Sequence, residues 1–174
     1  MKAFTVLCVL ALCFLLLSSV YADSESEKGV EVFGGYTRVK SDDFCCAGQG
    51  SGYHLGGGYA PIRFLLLNAE YSYADAPDPG YMRHLHAGPQ VRVPLGIFWP
   101  FGRVMAGFTE HRLSCANLPP DFPALDRKFS VAFGGGVDLQ VHRRVGLRLF
   151  VLDRIRAQDQ WDLRASFGVV FRLF

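Results

Sequence analysis

The stretch Trp161-Asp162-Leu163-Arg164-Ala165-Ser166-Phe167-Gly168-Val169-Val170-Phe171-Arg172-Leu173 sorts its residues by parity. Leu163, Ala165, Phe167, Val169, Phe171 and Leu173 share one face of an extended chain, and Asp162, Arg164, Ser166, Gly168 and Arg172 share the other. A helix would scatter both sets around its axis. A strand separates them, because its successive side chains point to opposite faces.

Seven upstream segments repeat the pattern. Residues 30–39 set Val30, Val32 and Tyr36 against Glu31, Phe33 and Thr37; residues 53–59 set Tyr53, Leu55 and Tyr59 against His54, Gly56 and Gly58. In 64–73, Leu65, Leu67, Ala69, Tyr71 and Tyr73 oppose Asn68, Glu70 and Ser72. In 81–93, Leu85, Ala87, Val91 and Val93 oppose His84, His86, Gln90 and Arg92; in 98–110, Val104, Ala106 and Phe108 oppose Arg103, Met105 and Thr109. Residues 129–141 set Phe129, Val131, Phe133, Val137, Leu139 and Val141 against Ser130, Ala132, Asp138 and Gln140. Residues 144–155 are less regular, with Val145, Leu147, Leu149 and Val151 against Arg148.

A soluble sandwich would alternate too, so the connections matter. Linkers 60–63, 94–97 and 142–144 are short, whereas 40–52, 74–80, 110–128 and 156–160 are longer and polar. Strict alternation of tight turns and long loops is the pattern of transmembrane barrels. Half of the 174 residues are apolar and the mean hydropathy is +0.17. After the N-terminal segment, no apolar run reaches the ~20 residues of a spanning helix. A closed barrel is the other way for a chain to satisfy its backbone in a bilayer. Aromatic residues mark both strand ends: Tyr53, Tyr71, Tyr73, Tyr81, Phe129 and Trp161 near the loops, and Tyr59, Phe64, Phe98, Trp99, Phe101 and Phe171 near the turns. Such belts belong to two membrane interfaces.

The compartment follows from residues 1–22. Lys2, an apolar run to Leu17, and Ser18-Ser19-Val20-Tyr21-Ala22 have the form of a secretory signal peptide cleaved before Asp23. The apolar core is short for an uncleaved anchor, and Leu12 before Cys13 does not suit lipoprotein processing. Residues 23–29 form a short polar segment, and 30–174 make one domain. Without Lys2 the formal charge of +2 falls close to neutrality, which excludes a basic nucleic-acid footprint.

Several pieces have a familiar order. Glu31-Val32-Phe33-Gly34-Gly35-Tyr36 opens the domain; His86-Ala87-Gly88-Pro89-Gln90-Val91-Arg92 leads to Trp99-Pro100-Phe101-Gly102-Arg103; Ala132-Phe133-Gly134-Gly135-Gly136-Val137-Asp138 precedes Arg144-Val145-Gly146-Leu147-Arg148; and Arg164 to Arg172 close it. Together they resemble the OmpA-like outer-membrane β-barrel domain family. The resemblance implies a single eight-stranded antiparallel up-and-down transmembrane β-barrel in the cell outer membrane, monomeric, in contact with lipid, and delivered by the barrel assembly machinery. One departure is that Leu173 holds the outward parity where such barrels usually end on an aromatic residue, with Phe174 one step beyond.

No catalytic, cofactor or metal site is assigned, and the surface loops name no partner. Gly56-Gly57-Gly58 and Gly134-Gly135-Gly136 lack the Lys-Ser/Thr of a phosphate loop. His84 and His86 share a face but have no third ligand in sequence. Glu110, His111 and Ser114 lie close together without the spacing of a triad. The function expected is structural, adhesive or envelope-stabilising, without enzymatic activity, because eight strands enclose an interior filled by side chains. Two other readings stay open at this stage: a soluble lipocalin-like barrel holding a small apolar ligand, and a lipid-modifying outer-membrane enzyme.

Assigning the apolar parity to lipid turns Arg103, Asp138 and Arg148 inward. Asp138 is then expected between the two guanidinium groups, Glu31 against Arg172, and Glu70 beside His84, His86 or Arg164. Asp162 is expected near the rim, within reach of water. Cys45 and Cys46 fall in one long loop and Cys115 in another. One of the pair can bond Cys115, or all three can stay reduced. Alkylation without reductant, read on a non-reducing gel, distinguishes them: one labelled thiol marks a bridge, and three mark none.

Overall fold

The computed structural model describes residues 28–41, 48–76, 80–112 and 126–173. The segment 1–22 expected to be a signal peptide, Cys45, Cys46, Cys115 and Ser114 lie outside the described residues. Eight strands follow one another: β1 (Gly29–Ser41), β2 (Gln49–Ile62), β3 (Leu65–Ala76), β4 (Gly80–Arg92), β5 (Phe98–Arg112), β6 (Asp126–His142), β7 (Val145–Ala157) and β8 (Gln160–Leu173). Each pairs antiparallel with the next, and β8 pairs with β1 from Val30↔Leu173 to Ser41↔Asp162. The result is a closed up-and-down barrel without a free edge. The strands run 12 to 17 residues, more than the ~9–11 that cross a bilayer.

The expected parity holds for most of the chain. Val32, Leu55, Leu67, Leu85, Val104, Phe133 and Phe167 face outward and are exposed, while Glu31, Glu70, His84, Arg103, Asp138 and Arg164 point into the barrel and are buried. A soluble barrel for an apolar ligand would be built the other way round. The lipocalin-like reading is therefore set aside by the direction of the side chains.

The structure departs from expectation in three places. The strands extend further at the loop end, so 156–160 shrinks to the tight turn Gln158-Asp159, where Gln158 takes a φ of 54°. With residues 93–97 joining β4 to β5, turns and loops no longer alternate strictly in length. Second, Trp99 and Phe101 are inside the barrel and do not belong to the lipid-facing belt. Third, the irregularity of β7 is a bulge. The ladder shifts between Val137↔Phe150 and Asp138↔Arg148, leaving Leu149 unpaired. Leu149 and Phe150 both face out, so Val151, Asp153 and Ile155 turn inward. An extra residue in one strand reverses parity beyond it.

Where β1 closes on β8, Gly35 faces Gly168. A Cβ on Gly168 would stand 2.1 Å from the Gly34 carbonyl oxygen, and one on Gly35 2.0 Å from that of Phe167. Gly168→Ala is expected to destabilise the folded barrel by about 1–3 kcal/mol, as overpacking does, which a lower urea midpoint in lipid vesicles reports. Leu85→Arg, mid-strand on the outer face, is expected to cost about 2–4 kcal/mol in the same assay. Ser51→Arg near the loop end should cost ~1 kcal/mol or less, since a charge near the interface is tolerated. Equal midpoints for the two arginine variants would contradict a lipid-facing band.

Candidate functional site

Chemistry in this molecule is concentrated inside the barrel. Among the described residues, five acids, Glu31, Glu70, Asp138, Asp153 and Asp162, and five arginines, Arg92, Arg103, Arg148, Arg164 and Arg172, are buried there. The lumen is thus balanced in formal charge. A buried charge needs a partner because removal from water costs several kcal/mol per ion, and the partners occur in layers along the axis.

At the turn end, Glu31 on β1 accepts from Arg172 on β8 at 3.0 Å and from Arg92 on β4. The Trp99 ring packs against both cations, with Arg172 4.3 Å and Arg92 4.9 Å from its centroid. Asp138 takes a two-pronged pair from Arg148 at 2.9 and 3.1 Å. Arg148 in turn lies over Phe33 at 4.4 Å and Phe101 at 5.0 Å. These inward aromatics give guanidinium groups a desolvated π-face, where such contacts are strongest.

The middle layer is a four-membered network. Arg103 donates to Asp153 at 2.9 and 2.6 Å and to Glu70 at 2.7 Å. Arg164 donates to the same Asp153 at 2.7 Å, lies 2.8 Å from Glu70, and reaches Ser72 at 2.9 Å. Strands β3, β5, β7 and β8 are thereby tied across the lumen. The planar fork of arginine suits this two-carboxylate bridging.

Toward the loop end the layer is hydroxyl- and histidine-rich. Thr37 and Ser166 are 2.9 Å apart. His84 Nδ1 lies 3.1 Å from Thr109 Oγ1, Thr109 donates to Ser130 at 2.9 Å, and Ser130 is 2.8 Å from His86 Nε2. His111 Nε2 is 3.1 Å from Asp162 Oδ2. Val39, Ala74 and Met82 form a small apolar cluster in the same half.

The structure confirms the pairs Glu31–Arg172, Asp138–Arg148 and Glu70–Arg164. Arg103 does not share Asp138; it belongs to Glu70 and Asp153. Asp153 was missed because the bulge reverses the parity of β7, although its i, i+2 relation to Val151 carried no warning. Asp162 does not reach water but is 2% exposed and held by His111. His84 and His86 stack at 6.0 Å, yet the acidic partner near His84 comes from β8. Glu110 turns outward to Tyr81 at 3.0 Å and Arg83 at 3.4 Å, while its neighbour His111 turns inward. Adjacent strand residues cannot share a face, so Glu110 and His111 do not converge.

On the outside, aromatic and cationic side chains interleave near the loop end. Arg154 and Arg156 lie 4.7 and 5.5 Å from the Trp161 ring, Arg127 4.5 Å from Phe108, and Arg83 4.1 Å from Tyr81. Tyr53, Tyr73 and Tyr81 stack in sequence across β2, β3 and β4 at 5.6 and 5.9 Å.

No protein-family model and no curated protein matches the chain. Among solved structures the barrel is similar to Neisserial surface protein A, with a TM-score of 0.67, 12% identity, and 82% of this chain matched to 96% of that one. It is also similar to the attachment invasion locus protein Ail of Yersinia pestis, crystallised with the heparin analogue sucrose octasulfate (TM-score 0.56, 17% identity, 86% of this chain and 100% of that one). A third is the outer membrane protein OprG from Pseudomonas aeruginosa (TM-score 0.55, 9% identity, 85% and 97%). At these identities the likeness is one of fold: an eight-stranded transmembrane β-barrel.

Removing one member of a desolvated charge pair typically costs about 3–5 kcal/mol. Asp138→Ala removes the carboxylate of Arg148, and Asp153→Ala leaves Arg103 and Arg164 to share Glu70 alone, so both are expected to lower the urea midpoint strongly. Asp75→Ala, which removes an exposed partner of Tyr73, should leave the midpoint nearly unchanged. Similar midpoints for all three would mean that the lumen is open to water.

Proposed function

We propose that the protein is a monomeric integral barrel of the outer membrane, of the OmpA-like kind, whose work is structural and done by the surface it displays. The observation that carries this reading is the inversion of polarity: a charge-balanced, filled interior and an apolar exterior of bilayer-spanning length. The order of the sequence pieces from Glu31 to Arg172 supports the OmpA-like assignment. Such a chain carries its own signal to the envelope and is inserted by the barrel assembly machinery.

The filled lumen argues against a diffusion channel. The separation of Glu110 from His111 argues against a lipid-modifying centre at the head of the long third loop. The outer collar favours lipid as the constitutive partner. Arg38, Lys40, Arg112, Arg127, Arg154 and Arg156 are exposed near the loop end, several of them stacked on aromatic rings. Cations at an interface attract anionic headgroups, each worth about 1 kcal/mol near a charged leaflet. That arrangement suits the outer leaflet and supports a loop end that faces outward, with both barrel termini at the turn end. Adhesion or envelope integrity is the role such exposed loops serve.

Protease added to intact cells is expected to cut first within 110–128, the longest connection. Cleavage confined to 60–63 or 142–144 would reverse the orientation. A signal-cleaved chain that stays monomeric and folded in buffer without detergent would overturn the membrane assignment itself.

A further inference from the structure

We infer that His84, His111 and Asp162 form a site for one divalent transition-metal ion of the zinc type, inside the loop end of the barrel. The three residues come from β4, β5 and β8, are all buried, and each places one ligand atom within 4.8 Å of the others. Two imidazoles and a carboxylate are the donor set that zinc takes in three-ligand sites, with a fourth position left for water.

The hydrogen bonds around the cluster leave His84 prepared to ligate. Thr109 spends its proton on Ser130, so at 3.1 Å its oxygen can only accept from His84 Nδ1. The Nδ1 atom therefore carries the proton, and Nε2 carries a lone pair. That Nε2 is buried and has no hydrogen-bond partner among the described residues. A histidine ligand oriented through its other nitrogen is the usual arrangement in metal sites. Ser130, which accepts from Thr109, also lies 2.8 Å from His86 Nε2, so His86 ends this chain of hydrogen bonds.

The opposite wall of the site is the pair His111 Nε2 and Asp162 Oδ2, 3.1 Å apart. Adjacent ligands on a tetrahedral zinc ion with bonds of about 2.0–2.1 Å are ~3.3 Å apart. An ion bound there takes the place of the proton that bridges the pair, with little movement of either group. The rings of His84 and His111 meet edge to face, 6.2 Å apart at 85°, and one nitrogen of each lies within 4.8 Å of the other. The other buried carboxylates offer no such place. Glu70 and Asp153 are already bridged by Arg103 and Arg164, and Glu31 and Asp138 by their own arginines. An ion at His84, His111 and Asp162 would pin β8 to β4 and β5 across the lumen, where the charge networks of the lower layers do not reach.

The test is titration of the signal-cleaved chain, folded in detergent micelles, with Co²⁺ and then Zn²⁺. One equivalent of Co²⁺ per chain is expected, with the visible absorption of low-coordinate cobalt and displacement by Zn²⁺. His84→Gln, His111→Gln and Asp162→Asn should each weaken binding at least tenfold while far-UV circular dichroism reports a folded barrel. His142→Gln, an exposed histidine at the turn end, should bind as the unaltered chain does. Should one ligand variant not fold, the remaining two carry the comparison, and the stoichiometry of the unaltered chain stands apart from all three. Failure of the folded unaltered chain to bind one equivalent overturns the site. So does binding that survives the ligand variants but disappears when Cys45, Cys46 and Cys115 are replaced by serine, which would assign the ion to the loop thiolates.

Discussion

Every other feature depends on the closure of β8 onto β1. In hydrocarbon an unpaired N–H or C=O costs several kcal/mol, and a sheet with two free edges would carry two rows of them. Antiparallel pairing from Val30↔Leu173 to Ser41↔Asp162 removes both rows at once. The seam has so little room that glycines face each other at its centre, Gly35 against Gly168. Closure also separates an inside from an outside, and strict alternation then commits each residue to lipid or to the lumen.

That commitment creates the problem that the interior solves. Half of each strand must enter a narrow space, and polar residues entered it. Neutral packing would have needed large apolar side chains on the inner parity, and those would have erased the distinction between faces that keeps the barrel in register. The chain instead fills the lumen with five arginines and five carboxylates. Long guanidinium side chains fill volume and reach across the axis, so strands that are not neighbours in the sheet are tied together. Arg103 joins β5 to β3 and β7, and Arg164 joins β8 to both.

The sequence made the fold legible because periodicity is local and the number of strands is small. The parity of seven strands could be read directly, and with it the inward set that includes Glu31, Glu70, Arg103, Asp138 and Arg172. Two partners were legible from adjacent strands, Asp138 with Arg148 across β6 and β7 and Glu31 with Arg172 across β1 and β8, whereas for Glu70 the sequence offered His84, His86 or Arg164 and the structure selects Arg164. Pairing across the lumen depends on relative height, which strand tilt and register set and which residue order does not reveal. Arg103 therefore met Asp153 and Glu70 instead of Asp138. The bulge at Leu149 was visible only as irregularity, because Leu149-Phe150 satisfies the lipid face equally well with or without an extra residue. Trp99 and Phe101 were misplaced for a related reason. Aromatic rings near a strand end suit an interface belt, and only the arginines opposite them in space show that these two serve the interior.

The same height dependence explains why His84, His111 and Asp162 could not be grouped from the sequence. His84 and Asp162 are separated by nearly half of the chain and lie on β4 and β8, strands far apart around the sheet. His111 follows Glu110, whose side chain turns the other way. What brings them together is that β4, β5 and β8 reach one level at the loop end, above the last arginine. Below that level each carboxylate is neutralised by a guanidinium. Above it Asp162 has an imidazole for its partner, a group that can exchange its proton for an ion, as an arginine cannot. The partners of the buried carboxylates thus change in kind along the axis, from guanidinium groups toward the turns to an imidazole toward the loops.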